Sequence, residues 1–97
     1  MKDYTGVLVT ENGKYKIYSN GEDVDLSDVL SKYYFAETKI HIKISNNRRQ
    51  LLHESGELYY DRDSNKKYRL HINGINLEKI LLNNFNNLIT IEIQEVA

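Results

Sequence analysis

The chain has 97 residues, 40% of them hydrophobic, and 13 Lys and Arg against 14 Asp and Glu give a formal net charge of −1. That length suits a single domain burying about 65% of the surface its unfolded chain exposes, and the balanced charge argues against a protein whose main task is to cover phosphate. Cysteine is absent, which excludes disulfides, thiolate catalysis and cysteine-ligated metal centres; no stretch nears the ~18 consecutive apolar residues of a membrane span, so a soluble, cytoplasmic protein without membrane contact is expected.

Gly6 to Thr10 and Lys14 to Ser19 alternate apolar and polar residues around Glu11-Asn12-Gly13. That pattern predicts a β-hairpin, because Asn-Gly accepts the positive φ of a tight turn. Asn20-Gly21 then breaks the second strand for the same reason. Leu26, Val29, Leu30, Tyr33 and Tyr34 share one face at helical spacing. Asp25, one residue ahead, supplies an N-cap, and Glu22, Asp23 and Asp28 suit the positive end of the helix dipole. Lys39 to Ser45 reads as a strand with Ile40, Ile42 and Ile44 turned inward. The next ten residues, SNNRRQLLHE from Ser45 to Glu54, fit either an extra helical turn or a strand extension.

The pattern then starts again. Ser55-Gly56-Glu57-Leu58 lines up with Thr5-Gly6-Val7-Leu8, and Lys67-Tyr68-Arg69-Leu70 with Lys14-Tyr15-Lys16-Ile17, the second hairpin turning through Asp61 to Asn65. Asn73-Gly74 repeats Asn20-Gly21. Leu77, Ile80, Leu81 and Phe85 repeat the helical face behind an N-cap at Asn76, and Leu88 to Glu95 repeats the closing strand with Ile89, Ile91 and Ile93. Matching order, turns and periods predict an internal duplication.

The expected fold is α+β: two tandem ββαβ units at residues 5–45 and 55–95 with a linker at 46–54, forming one domain over 1–97. About 40 residues is near the lower limit for an unassisted fold, so the units should share a core. A pseudo-twofold axis, an antiparallel or mixed sheet and two short helices on one face follow.

If the isoleucines face inward, Lys39, His41 and Lys43 project outward, while Thr90 and Glu92 occupy the matching places in the second unit. Those opposite charges suit cross-strand pairing; with Arg48 and Arg49 the basic residues could instead receive an anion. In the hairpins, Leu8, Tyr15, Ile17, Leu58, Tyr68 and Leu70 are expected inside. Val7, Val9, Tyr18, Tyr59 and His71 are expected on the other side, a composition suited to protein contact or to a second copy of the chain.

Catalytic chemistry finds little support. The glycines occur singly, so no phosphate loop is present, and no serine sits on a nucleophile elbow. His41, His53 and His71 lack metal-ligand spacing. Asp61-Arg62-Asp63-Ser64-Asn65 imitates half a calcium loop, but Lys66 and Ile72 stand where glycine and glutamate are required, and a hairpin turn explains the residues. The function expected by elimination is a non-enzymatic, cofactor-free binding protein contacting a protein partner through Tyr18, Tyr59, His71, Arg48, Arg49, Lys39 and Lys43. The abundant Asn, Ile, Lys and Tyr have AT-rich codons, which fits an accessory or anti-defence inhibitor from a phage or mobile element. Two alternatives stand beside it: a binder of a small anionic ligand such as a nucleotide signal, held by Arg48, Arg49 and Lys39, and a nucleic-acid-binding module using tyrosines as stacking platforms.

Overall fold

The structure, a computed structural model, describes residues 2–19 and 21–96; the Asn20 half of the Asn20-Gly21 turn lies outside them. The chain runs β1 (Lys2–Glu11), β2 (Lys14–Ser19), β3 (Glu22–Asp25), α1 (Leu26–Ala36), β4 (Ile40–Asn46), β5 (Gln50–Gly56), β6 (Tyr59–Arg62), β7 (Tyr68–Ile72), β8 (Ile75–Asn76), α2 (Leu77–Leu82) and β9 (Leu88–Glu95). It is an α+β fold with a six-stranded sheet ordered β3-β2-β1-β9-β4-β5, a three-stranded sheet ordered β6-β7-β8, and two helices. Every strand pairing among the described residues is antiparallel.

Local signals act where the sequence places them. Glu11 pairs with Lys14 across Asn12 and Gly13, whose φ angles of 54° and 77° make the turn that closes β1 onto β2. Asp25 Oδ1 accepts from Asp28 N at 2.9 Å and Asn76 Oδ1 from Lys79 N at 3.0 Å, so both N-caps form as expected. Leu26 and Leu30 of α1 and Leu77 and Leu81 of α2 are buried in one core with Ile40, Ile42, Ile44, Ile89, Ile91 and Ile93.

Several expectations need correction. Each helix is preceded by a short third strand, β3 or β8, that pairs back onto the strand before it. The second helix stops at Leu82, short of the Phe85 end of its apolar face. Of the two states open to residues 46–54, helical turn or strand, the strand forms: Asn46 Oδ1 accepts from Arg48 N and Arg49 N, both at 3.0 Å, turning the chain so that β5 pairs with β4. Glu57 and Leu58 interrupt the strand after Gly56, so β5 stays with β4 while β6 pairs with β7 in a separate sheet. At Gly6 backbone leaves no room for a side chain, whereas at Gly56 the Asn73 side chain would have to move. A Cβ at Gly6 would lie 2.3 Å from the Tyr18 carbonyl oxygen, and one at Gly56 would lie 2.8 Å from Asn73 Oδ1.

Tyr68, expected inside beside Leu70, is 62% exposed, with the Arg62 guanidinium 5.2 Å from its ring centroid. Tyr15, in the similar Lys-Tyr run of β2, is buried because Phe85 packs 6.1 Å away and Glu78 accepts a hydrogen bond from its hydroxyl. His71, expected outside, is only 7% exposed: Tyr59 stacks on it at 5.8 Å, and its Nδ1 donates to the Arg69 carbonyl oxygen at 2.8 Å.

At the middle of the fold β4 lies against β9, with Lys43 opposite Glu92, Ile42 opposite Ile93 and Ile44 opposite Ile91. The expected cross-strand charge pairing is present, Lys43 Nζ standing 3.9 Å from Glu92 Oε2. Lys43→Glu alone should lower stability by about 0.5–1 kcal/mol through like-charge repulsion, and adding Glu92→Lys should restore most of it. Thermal melts of the two single variants and the double variant check this, and equal melting temperatures throughout would remove the pairing as a contributor.

Candidate partner-binding surfaces

Alternation along the strands sends one set of side chains to the core and the other to the outer face of the six-stranded sheet. On that outer face Val7 is opposite Tyr18 on one side and Leu88 on the other, which makes an apolar row across β2, β1 and β9. All three are more than a third exposed, Leu88 most at 44%. Tyr18 is held in place by its hydroxyl, which donates to Glu11 Oε2, and this bond, with Lys16 beside it, keeps the Glu11 carboxyl below its usual pKa.

Leu88 leads into an open groove of about 360 Å³ lined by Asn46, Asn47, Arg48, Arg49, Asn87 and Leu88. Its walls are the β4–β5 turn and the residues just before β9. Arg48 and Arg49 are exposed and make no ion pair among the described residues. Apolar row and arginine turn are thus continuous through Leu88, which the sequence reading passed over. Its parity was the available signal: Leu88 is out of step with Ile89, Ile91 and Ile93.

The other basic residues stand elsewhere. Lys39 precedes β4 and Arg48 follows it, so the strand's seven residues separate them, about 23 Å at a rise of 3.3 Å per residue. Lys43 is paired with Glu92, and His41 Nδ1 is hydrogen-bonded to Ser55 Oγ. A shallow hollow of about 200 Å³ there is lined by His41, Lys43, His53, Glu92 and Gln94. The structure therefore does not gather Lys39, Lys43, Arg48 and Arg49 into one anion pocket. Among the described residues no group of three or more His, Asp or Glu side chains could hold a metal ion.

Tyr59 and His71 belong to the three-stranded sheet and do not share a face with Tyr18. Tyr59 Oη accepts from Gly74 N at 2.7 Å while its ring covers His71, so it supports the β7–β8 turn besides being exposed. Between β6 and β7 Asp63 Oδ1 accepts from Asn65 N and Lys67 N at 2.8 and 2.9 Å, which builds the expected hairpin turn. The Lys67 N–H is the main reason the Asp63 carboxyl lies below its ordinary pKa.

One partly buried polar group ties α2 to β2 and β7. Glu78 on α2 accepts from Tyr15 Oη at 2.9 Å and from Leu70 N at 2.6 Å, and Arg69 Nη1 lies 3.6 Å away. Burial first, and then Glu78, push the Tyr15 phenol well above its usual range. Each group in this network has a partner, so it is a structural lock, not an exposed reactive site.

A third surface escaped the sequence reading: a cleft between the end of α1 and the start of β6, lined by Tyr34, Phe35, Glu37, Glu57, Leu58 and Tyr59. No helix among the described residues is long and apolar enough to cross a membrane. No protein-family model, curated protein or solved structure matches the chain.

Proposed function

We propose that this chain is a non-catalytic binding protein that engages a protein partner through the outer face of its six-stranded sheet. The observation that carries the reading is the exposed row Tyr18–Val7–Leu88, continuous with a groove edged by Arg48 and Arg49. Tyrosine and arginine beside aliphatic surface are the residues enriched in protein interfaces. By elimination the reading extends to an accessory or anti-defence inhibitor of a phage or mobile element, acting in the cytoplasm by occupancy; the AT-rich codons bear on the genome of origin, not on the function. The small-anion and nucleic-acid readings are weaker, because the basic residues are spread along β4 and Lys43 is already paired.

An internal duplication of two ββαβ units, related by a pseudo-twofold axis, belongs to the same reading. Its support is the register. If Ile40, Ile42 and Ile44 correspond to Ile89, Ile91 and Ile93, the pair Ile42 and Ile93 maps onto Ile91 and Ile44, and both pairs occur. Likewise Gly6 opposite Ile89 maps onto Gly56 opposite Ile40. The interrupted strand at Glu57-Leu58 is where the two halves depart from each other.

The test uses the purified chain as bait for its partner, then affinity measurements with that partner. Tyr18→Ala, or Arg48→Glu with Arg49→Glu, should weaken binding by about thirtyfold or more, the effect of a hot-spot loss of roughly 2 kcal/mol, with circular dichroism unchanged. Parental affinity in both variants would overturn the surface. A co-purified ligand absorbing near 260 nm, or a salt-sensitive shift with random-sequence nucleic acid, would favour the alternatives.

A further inference from the structure

The cleft beside α1 has a volume of about 570 Å³ and three aromatic residues in its lining, Tyr34, Phe35 and Tyr59, with two carboxylates, Glu37 and Glu57. Phe35 is 79% exposed, the most exposed of the large apolar side chains. The Tyr34 ring meets Phe35 edge-on at 5.1 Å and Tyr60 at 4.7 Å, which fixes it against the core. Among the described residues neither Glu37 nor Glu57 takes part in an ion pair.

Glu37 is poorly suited to its place if stability alone mattered. Its N–H bonds the Tyr34 carbonyl at 3.1 Å and the Thr38 N–H bonds the Tyr33 carbonyl at 3.4 Å, the paired bonds that end a helix on a left-handed residue. At φ 52° and ψ 35° that position favours glycine. A carboxylate there also faces the negative end of the helix dipole, and the last turn of α1 has no basic residue to offset it. Helix end, two carboxylates and aromatic rings all attract the same thing, a positive charge.

We propose that this cleft receives an arginine or lysine side chain of a protein partner. The cation lies against the aromatic rings, an attraction that grows as water is displaced, while Glu37 and Glu57 accept its N–H groups in charge-assisted hydrogen bonds. Anionic partners, nucleic acid included, are repelled by the same carboxylates. The proposal rests on reading the chain as a protein binder but uses a surface separate from the outer sheet face, so the two can fail independently.

The probes are acetyl-Gly-Arg-Gly-amide and its glutamate counterpart, titrated to about 10 mM, the range in which so small a contact is visible, with backbone and aromatic NMR shifts as readout. The arginine peptide should move resonances of Tyr34, Phe35, Glu37 and Glu57 to Tyr59, and the glutamate peptide should not. Glu37→Gly should weaken arginine binding by about tenfold and also raise the melting temperature, so loss of binding cannot be ascribed to unfolding. Phe35→Ala should weaken it similarly, and Tyr18→Ala should leave it unchanged. Equal shifts with both peptides, no shift with the arginine peptide, or parental affinity in Glu37→Gly would overturn the proposal.

Discussion

Replacing Leu30 or Leu81 with alanine is expected to lower stability by about 2–5 kcal/mol, the range for emptying a leucine-sized space in a packed core. Both side chains are almost wholly buried. Each is the second apolar anchor of its helix, one turn after Leu26 or Leu77. A domain of this size is held by roughly 5–15 kcal/mol in all. Either variant should therefore melt about 8–40 °C lower, at about 4–8 °C per kcal/mol. Lys32→Ala, on the exposed side of α1, should stay within about 0.5 kcal/mol of the parent. Unchanged melting temperatures in both leucine variants would mean that these helices do not anchor the core.

Glu78→Ala should cost about 2–4 kcal/mol for a different reason. Its two oxygens take the Tyr15 hydroxyl and the Leu70 N–H, and its removal leaves both part-buried donors without their protein acceptor. Arg69 would lose one of its two carboxylate neighbours and keep Asp63 at 3.4 Å. Tyr15→Phe is the milder companion, about 0.5–1.5 kcal/mol, since Glu78 keeps Leu70 and Arg69. The phenol also carries a pH signature. Its pKa is raised in the folded state, so its contribution is complete below the ordinary tyrosine range and is lost as pH climbs from there through the raised folded-state value. Urea denaturation of parent, Glu78→Ala and Tyr15→Phe at neutral and strongly alkaline pH checks both statements: the gap between parent and Tyr15→Phe should shrink in alkali, and an Ala variant as stable as the parent would show the network to be dispensable.

The sequence by itself determined whatever is decided within a few residues. Asn12-Gly13 closes a hairpin because those two residues accept positive φ, Asp25 and Asn76 start helices because their side chains reach the N–H three residues on, and alternation turns six isoleucines into the core. Those signals depend on the chain's own geometry and hold wherever the segment lies. Tertiary structure decided what a residue meets across the fold. Tyr15 and Tyr68 each follow a lysine in a Lys-Tyr-basic-aliphatic run, yet only Tyr15 is covered by Phe85 and bonded to Glu78. His71 alternates with inward Leu70 and is buried all the same, because Tyr59 of the neighbouring strand closes over it. The Gln50–Gly56 segment became a strand because β4 offers it an edge, which ten ambiguous residues cannot announce. The candidate surfaces divide the same way: Tyr18, Arg48 and Arg49 were legible as exposed residues, but the groove at Leu88 and the cleft at Phe35 and Glu37 exist only where segments distant in sequence come side by side.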